Sequence, residues 1–146
     1  MKKFLFFALA LVAGALAFTS CNPANEPELK GKVYHYHGIS YTEFEFEHDV
    51  YISIEENNKM TMKWVGVKAK EDAEPVTLYL TNGVWEGEDG GYHIHCDALP
   101  QLPDGKPFDE WESFDVDGWC GEETCSFDYH INGSTMGIFD GEIVND

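Results

Sequence analysis

From Glu43 to Glu55 the chain alternates between two chemistries without a break. Phe44, Phe46, His48, Val50, Ile52 and Ile54 share one parity, and Glu43, Glu45, Glu47, Asp49, Tyr51, Ser53 and Glu55 share the other. A period of two belongs to a β-strand, whose successive side chains point to opposite faces, whereas a helix face repeats every 3.6 residues. The pattern predicts one long strand over 43–55 with an apolar inner face, and long, bent strands of this kind are common in barrels.

The same period recurs along the chain. Met60, Met62 and Trp64 alternate with Lys59, Thr61 and Lys63; Val76, Leu78 and Leu80 alternate with Thr77, Tyr79 and Thr81. Tyr92, Ile94 and Cys96 enclose His93 and His95; Phe114 and Val116 alternate with Asp115 and Asp117. Cys125, Phe127, Tyr129 and Ile131 alternate with Ser126, Asp128 and His130, and Met136 and Ile138 lead into a last strand. Asn57-Asn58, Asn82-Gly83, Asp89-Gly90 and Asn132-Gly133 punctuate these runs. Asn, Asp and Gly tolerate the positive φ of tight hairpin turns, so each pair predicts a turn. No sustained helical period follows residue 30. Consecutive strands with one apolar face and tight connections predict an all-β fold, an up-and-down antiparallel β-barrel of eight or nine strands. One connection is long: Ala98 to Glu110 carries Pro100, Pro103 and Pro107, and a loop of this length is expected to cover a barrel mouth.

The first 20 residues read as a signal peptide. Lys2 and Lys3 precede an apolar run from Phe4 to Phe18 that is short for a membrane-spanning helix. Phe18-Thr19-Ser20-Cys21 resembles a bacterial lipobox, in which Cys21 is acylated and becomes the new N-terminus. Residues 21–29, with Pro23, Pro27, Glu26 and Glu28, form a lipidated tether expected to stay extended and solvated. The folded domain is expected over residues 30–146. This organisation places the protein in the cell envelope, held to the outer membrane through a lipid anchor.

Charge limits the partners. Formal net charge is -18, and loss of Lys2 and Lys3 leaves seven of nine basic residues against 27 acids, close to -20. The chain has no arginine. Nucleic acid is excluded, because its phosphates require clustered cations.

The leader, the Gly31-Lys32-Val33-Tyr34 strand, the Met60–Trp64 strand, Phe114-Asp115-Val116-Asp117-Gly118 and the closing Phe139-Asp140-Gly141 together resemble the calycin-like β-barrel lipoproteins. The resemblance spans roughly residues 30–142 and implies a lipocalin-like barrel. Lipocalins hold small apolar ligands inside such barrels. Val33 stands where their Gly-x-Trp signature has tryptophan. No catalytic residue carries over.

His35/His37 and His93/His95 each put two imidazoles on one strand face, a spacing used by some zinc sites. Two ligands do not make a site, and the first and sixth apolar runs of a meander are not neighbours, so no metal is expected. Carboxylates at 43, 45, 47, 110, 112, 115 and 117 alternate on outer faces, whereas glycoside hydrolysis needs two facing each other across a cleft. Asp115-Val116-Asp117-Gly118 lacks an acid that a calcium loop requires. No enzyme activity and no cofactor are expected. His48 falls on the apolar face, as a core histidine with a hydrogen-bond partner, at a bulge, or as a polar anchor in a cavity.

Beyond Cys21 three cysteines remain. Cys120 and Cys125 flank an expected hairpin end and are expected to pair, leaving Cys96 free; pairing of Cys96 with either is the competing arrangement. Two functions follow. In the first, Phe44, Phe46, His48, Met62, Trp64, Tyr92, Phe127 and Tyr129 line a cavity for a small apolar ligand. In the second, the acidic exterior captures cationic proteins such as lysozymes. The volume inside the barrel discriminates between them.

Overall fold

A computed structural model of the chain describes residues 26–88 and 90–145. The expected signal peptide, Cys21, the first part of the expected tether, Asp89 and Asp146 lie outside them. The strands are β1 (Lys32–Tyr41), β2 (Glu45–Ile54), β3 (Lys59–Val67), β4 (Val76–Glu88), β5 (Gly91–Asp97), β6 (Phe114–Gly121), β7 (Thr124–Ile131) and β8 (Thr135–Ile143). Each pairs antiparallel with the next, and β1 pairs with β8, so the eight strands close into an up-and-down barrel.

Parity decides what lies inside. On β2, Phe46, His48, Val50 and Ile52 are buried while Glu45 and Glu47 are exposed. Met60, Met62, Trp64, Leu78, Leu80, Tyr92, Ile94, Phe127, Tyr129 and Phe139 complete the inner layer. The run over 43–55 is shorter than its alternation: the chain turns at Thr42–Phe44, and the strand starts at Glu45, opposite Tyr41. Alternation persisted through the turn because Glu43 and Phe44 sit at the barrel rim, one exposed and one half-buried.

Two of the expected hairpin turns have positive φ at both central residues, Asn57-Asn58 and Asn132-Gly133. Asn82-Gly83 is not a turn. Asn82 has φ 66° inside β4, where the register against β3 slips between Met60 and Met62. An extra residue in one strand makes a bulge, and the left-handed conformation that asparagine tolerates absorbs it. Beyond this bulge β4 pairs with β5, from Val84 opposite His95.

The 98–110 loop continues the wall beside β4 and also reaches the mouth, where Glu110 stands. Its Gln101 exchanges both backbone hydrogen bonds with Tyr79 (2.8 and 2.7 Å), extending the sheet beside the part of β4 that β5 does not reach. Farther on, Phe108 and Trp111 enter the core. Tyr79 points outward by parity yet is buried by this cover.

Residues 26–30 depart from a solvated tether. They run along the outside of β2–β4, where the Lys30 carbonyl accepts a hydrogen bond from Ser53 and the Glu26 carboxylate accepts one from Tyr79. This strap buries Ser53 on an outer face.

Cys120 and Cys125 are joined by a disulfide across the β6–β7 hairpin, and Cys96 is buried and free. The β1–β8 seam has glycine opposite glycine, Gly38 with Gly141. A Cβ at Gly38 would overlap the carbonyl oxygen of Asp140, so this close approach of two backbones requires glycine.

Candidate functional site

The end of the barrel carrying the β1–β2 turn, the β3–β4 loop and the β7–β8 turn holds a pocket of about 530 Å³. Its apolar lining comes from Phe44, Phe46, Val67, Ala69, Trp111, Tyr129 and Ile131, and Thr42, Asn132 and Thr135 add uncharged polar groups. Strand parity directs Phe46 and Tyr129 inward. Trp111 arrives from the long loop, stacked on Phe114 with ring centroids 5.2 Å apart and edge-on to Phe108 at 4.9 Å. Asn132 fixes the loop's return by accepting the Glu112 backbone N–H at 2.6 Å and donating its own N–H to the Ser113 carbonyl at 2.9 Å. Charged groups stand only at the rim: Lys68, Lys70, Glu43, Glu71 and Glu110.

Below the pocket the interior is packed with rings. Trp64 meets Phe127 at 5.3 Å, Tyr129 at 5.1 Å and His48 at 5.6 Å, and Phe139 packs on both His48 and Phe127 at 4.9 Å. His48 Nε2 and Ser40 Oγ share a hydrogen bond of 2.6 Å. Burial pushes the His48 imidazole down to about 4, against the opposing influence of Asp49. It is therefore neutral at pH 7, too weak a base to activate Ser40, and Ser40 itself is fully buried. Burial also pushes the Tyr129 hydroxyl up to about 12, with Ser40 opposing. The floor carries no charge. Trp64 Nε1, also in this layer, meets no group in hydrogen-bond geometry.

The expected ligand set divides into three groups. Phe44, Phe46 and Tyr129 line the pocket; His48, Trp64 and Phe127 form the ring layer under it. Met62 is fully buried in the core, and Tyr92 faces the other end, bonded to Tyr36 through their hydroxyls at 2.9 Å, with Tyr36 donating to the Gly121 carbonyl at 2.6 Å. His48 is a core histidine with a partner, not a bulge. Trp111, Val67, Ala69 and Ile131 complete the apolar lining; of these, Trp111 left no periodic signal, because it sits in an irregular loop.

Four outward histidines, His35, His37, His93 and His130, have aspartate partners on adjacent strands. Asp49 Oδ1 receives His35 Nε2 at 2.8 Å and His37 Nδ1 at 3.1 Å. Burial alone would raise the Asp49 pKa; the two histidine hydrogen bonds outweigh it and hold the carboxyl below its usual value. His130 pairs with Asp115 at 2.9 Å, and His93 with Asp117. The two His-x-His pairs lie on β1 and β5, which are not adjacent in the barrel. Among the described residues no group of three or more His, Cys, Asp or Glu is arranged to hold a metal ion.

Comparison with protein-family models, with curated proteins and with solved structures finds no match.

Proposed function

We propose that this protein is an envelope lipoprotein of the calycin-like kind, a binding module rather than an enzyme, whose barrel mouth holds a small, mostly apolar ligand. The observation that carries this reading is the mouth pocket. Its volume of about 530 Å³ falls within the range that buries a small organic molecule, and aromatic and aliphatic side chains share its walls with Thr42, Asn132 and Thr135. The Phe18-Thr19-Ser20-Cys21 sequence after an apolar run supports the anchor.

Binding is tested with N-phenyl-1-naphthylamine, a neutral dye that brightens in apolar surroundings. Saturable fluorescence is expected, and Phe44→Ala, which removes a half-buried wall of the pocket, should weaken it by about tenfold, the equivalent of roughly 1.4 kcal/mol. The Phe44→Ala protein should keep its far-UV spectrum. Absence of saturable binding by the parent protein would reject the pocket reading. The anchor is tested separately by metabolic labelling with a fatty-acid analogue. Labelling is expected in the parent chain and should vanish in Cys21→Ser; labelling that survives the substitution would reject acylation at that cysteine.

The surplus of acids, with formal net charge -18, favours a second reading in which the surface captures a cationic protein. Charges on an exposed wall are screened over about 8 Å at physiological ionic strength. A complex with a basic protein that survives such salt and discriminates among basic partners would favour this reading over the pocket. Dye binding in the pocket should barely respond to salt, since apolar burial drives it.

A further inference from the structure

On the outside of the barrel one row of side chains crosses four strands in the order acid, apolar, apolar, acid. Tyr41 on β1 stands opposite Glu45 on β2 and opposite Ile138 on β8, and Ile138 stands opposite Asp128 on β7. Ser40, Phe46, Phe127 and Phe139, of the other parity on the same strands, are buried, so this row points outward. Tyr41 and Ile138 are 39 % and 38 % exposed, and Met136, two residues along β8, is 53 % exposed. In the other direction along β1, Ile39 is half-buried between Glu47 and Asp140. Apolar residues scattered singly on a surface are ordinary, but neighbours that form a strip mark an interaction surface.

The charge around the strip has one sign. Residues 33–58 and 107–146 contain no lysine, and the chain has no arginine. Strands β2, β6, β7 and β8, and β1 beyond Lys32, therefore carry no permanent cation. The histidines on this side are engaged by the barrel's own aspartates, His37 by Asp49 at 3.1 Å and His130 by Asp115 at 2.9 Å. A second copy of the chain would set its acids against these, and an anionic lipid surface would be repelled.

Neighbouring strands lie about 4.8 Å apart, which puts Glu45 and Asp128 about 14 Å apart, three strand spacings, with the apolar pair between them. An α-helix with its side chains is about 10–12 Å across. A helix laid along the strip sets its apolar stripe on Tyr41, Ile138 and Met136, and basic residues at either edge of that stripe reach the acids on both flanks. We infer that this face docks a basic amphipathic helix of another protein. This rests on the second reading above, capture of a cationic protein, and adds where the partner sits and what its surface carries. Apolar burial holds the helix, and the flanking acids select a basic one over an acidic one.

The probe is a fluorescently labelled leucine–lysine peptide with its leucines at helical spacing, titrated with the full-length protein at about 0.15 M salt. A scrambled peptide of the same composition has equal charge and no apolar stripe. The helical peptide should bind saturably, about tenfold tighter than the scrambled one. Met136→Thr/Ile138→Thr keeps good strand formers and should weaken its binding about tenfold, as should Glu45→Gln/Asp128→Asn. Val84→Thr, at an exposed apolar position on β4, and Glu122→Gln/Glu123→Gln, which removes two exposed acids at the β6–β7 turn, should each stay within about twofold of the parent. Urea unfolding checks that every variant is folded. Equal weakening by the two pairs of acid substitutions, or equal binding of the two peptides, would overturn the inference and leave capture by net charge standing. Binding that ignores both strip variants and displaces N-phenyl-1-naphthylamine would overturn it by placing the peptide in the mouth pocket. A dimer of the protein that Met136→Thr/Ile138→Thr dissociates would also overturn it, because the strip would then cover itself. Binding of neither peptide would remove this inference together with the capture reading.

Discussion

Trp64→Ala is expected to lower the unfolding free energy by about 3–5 kcal/mol, the usual cost of emptying a buried tryptophan site. Trp64 has no exposed surface, and its indole touches the rings of His48, Phe114, Phe127 and Tyr129, which come from β2, β6 and β7. Those neighbours are held by barrel strands and cannot collapse far into the void. Urea unfolding followed by far-UV circular dichroism measures the change as a shift in midpoint with little change in slope. Trp64→Phe should cost less, because it removes the unpartnered Nε1 along with the volume. A loss below about 1 kcal/mol for the alanine variant would show that the ring layer is not the centre of stability.

Acid should destabilise the barrel through His48. Its folded-state pKa, pushed down to about 4 by burial, lies below the ordinary 6.5. Between these values the unfolded chain binds the proton and the folded chain does not, so stability rises with pH across that window. The contribution is complete above pH 6.5 and is lost as pH falls through 4. At about 1.4 kcal/mol per unit of pKa, it amounts to roughly 3 kcal/mol. The carboxylate of Asp49 pulls the imidazole upward and His37 pushes it further down, so neither cancels the effect of burial. His48→Phe should cost about 1–3 kcal/mol at pH 7, because Ser40 loses its partner, yet show a flatter stability profile between pH 7 and 4. Equal slopes for the two proteins would mean that His48 takes up its proton in the folded state without resistance.

The inner face of the barrel was legible because a strand's period is two. Each inward residue read from 44 to 54, 60 to 64 and 125 to 131 has its side chain directed at the core. Three kinds of residue escaped that reading, each for a physical reason. Ser53, Thr61 and Tyr79 have outward parity but are buried, with residues 26–30 lying over that side of the wall and Gln101 pairing with Tyr79; a cover supplied by distant chain leaves no local trace. Asn82-Gly83 carries turn chemistry, but positive φ serves a bulge as well as a hairpin, and only the partner strands decide between them. Trp111 belongs to the pocket through a loop with no period at all. Of the eight expected ligand residues, those at the 44–46 and 129 ends meet at the mouth. Met62 and Tyr92 do not, because sharing a face places two residues in one interior and not at one height along the barrel axis. Likewise Asp115 and Asp117 read as solvated acids, and their histidine partners became visible only once β5, β6 and β7 were aligned.

The Gly38–Gly141 seam has a consequence for how the molecule forms. It joins the first strand to the last, so the pairing that closes the barrel is also the one between the most distant parts of the sequence. Every other strand pair can form from a local hairpin. Loop-closure entropy grows only slowly with length, so the seam costs little extra in equilibrium stability, but contacts of such separation slow the search for the native state. Until Thr135–Ile143 is in place, β1 and β7 each present an unpaired row of N–H and C=O groups, the kind of edge that recruits another chain. The interval before closure is therefore when this chain is most exposed to self-association, and a chain ending short of Thr135 never leaves it.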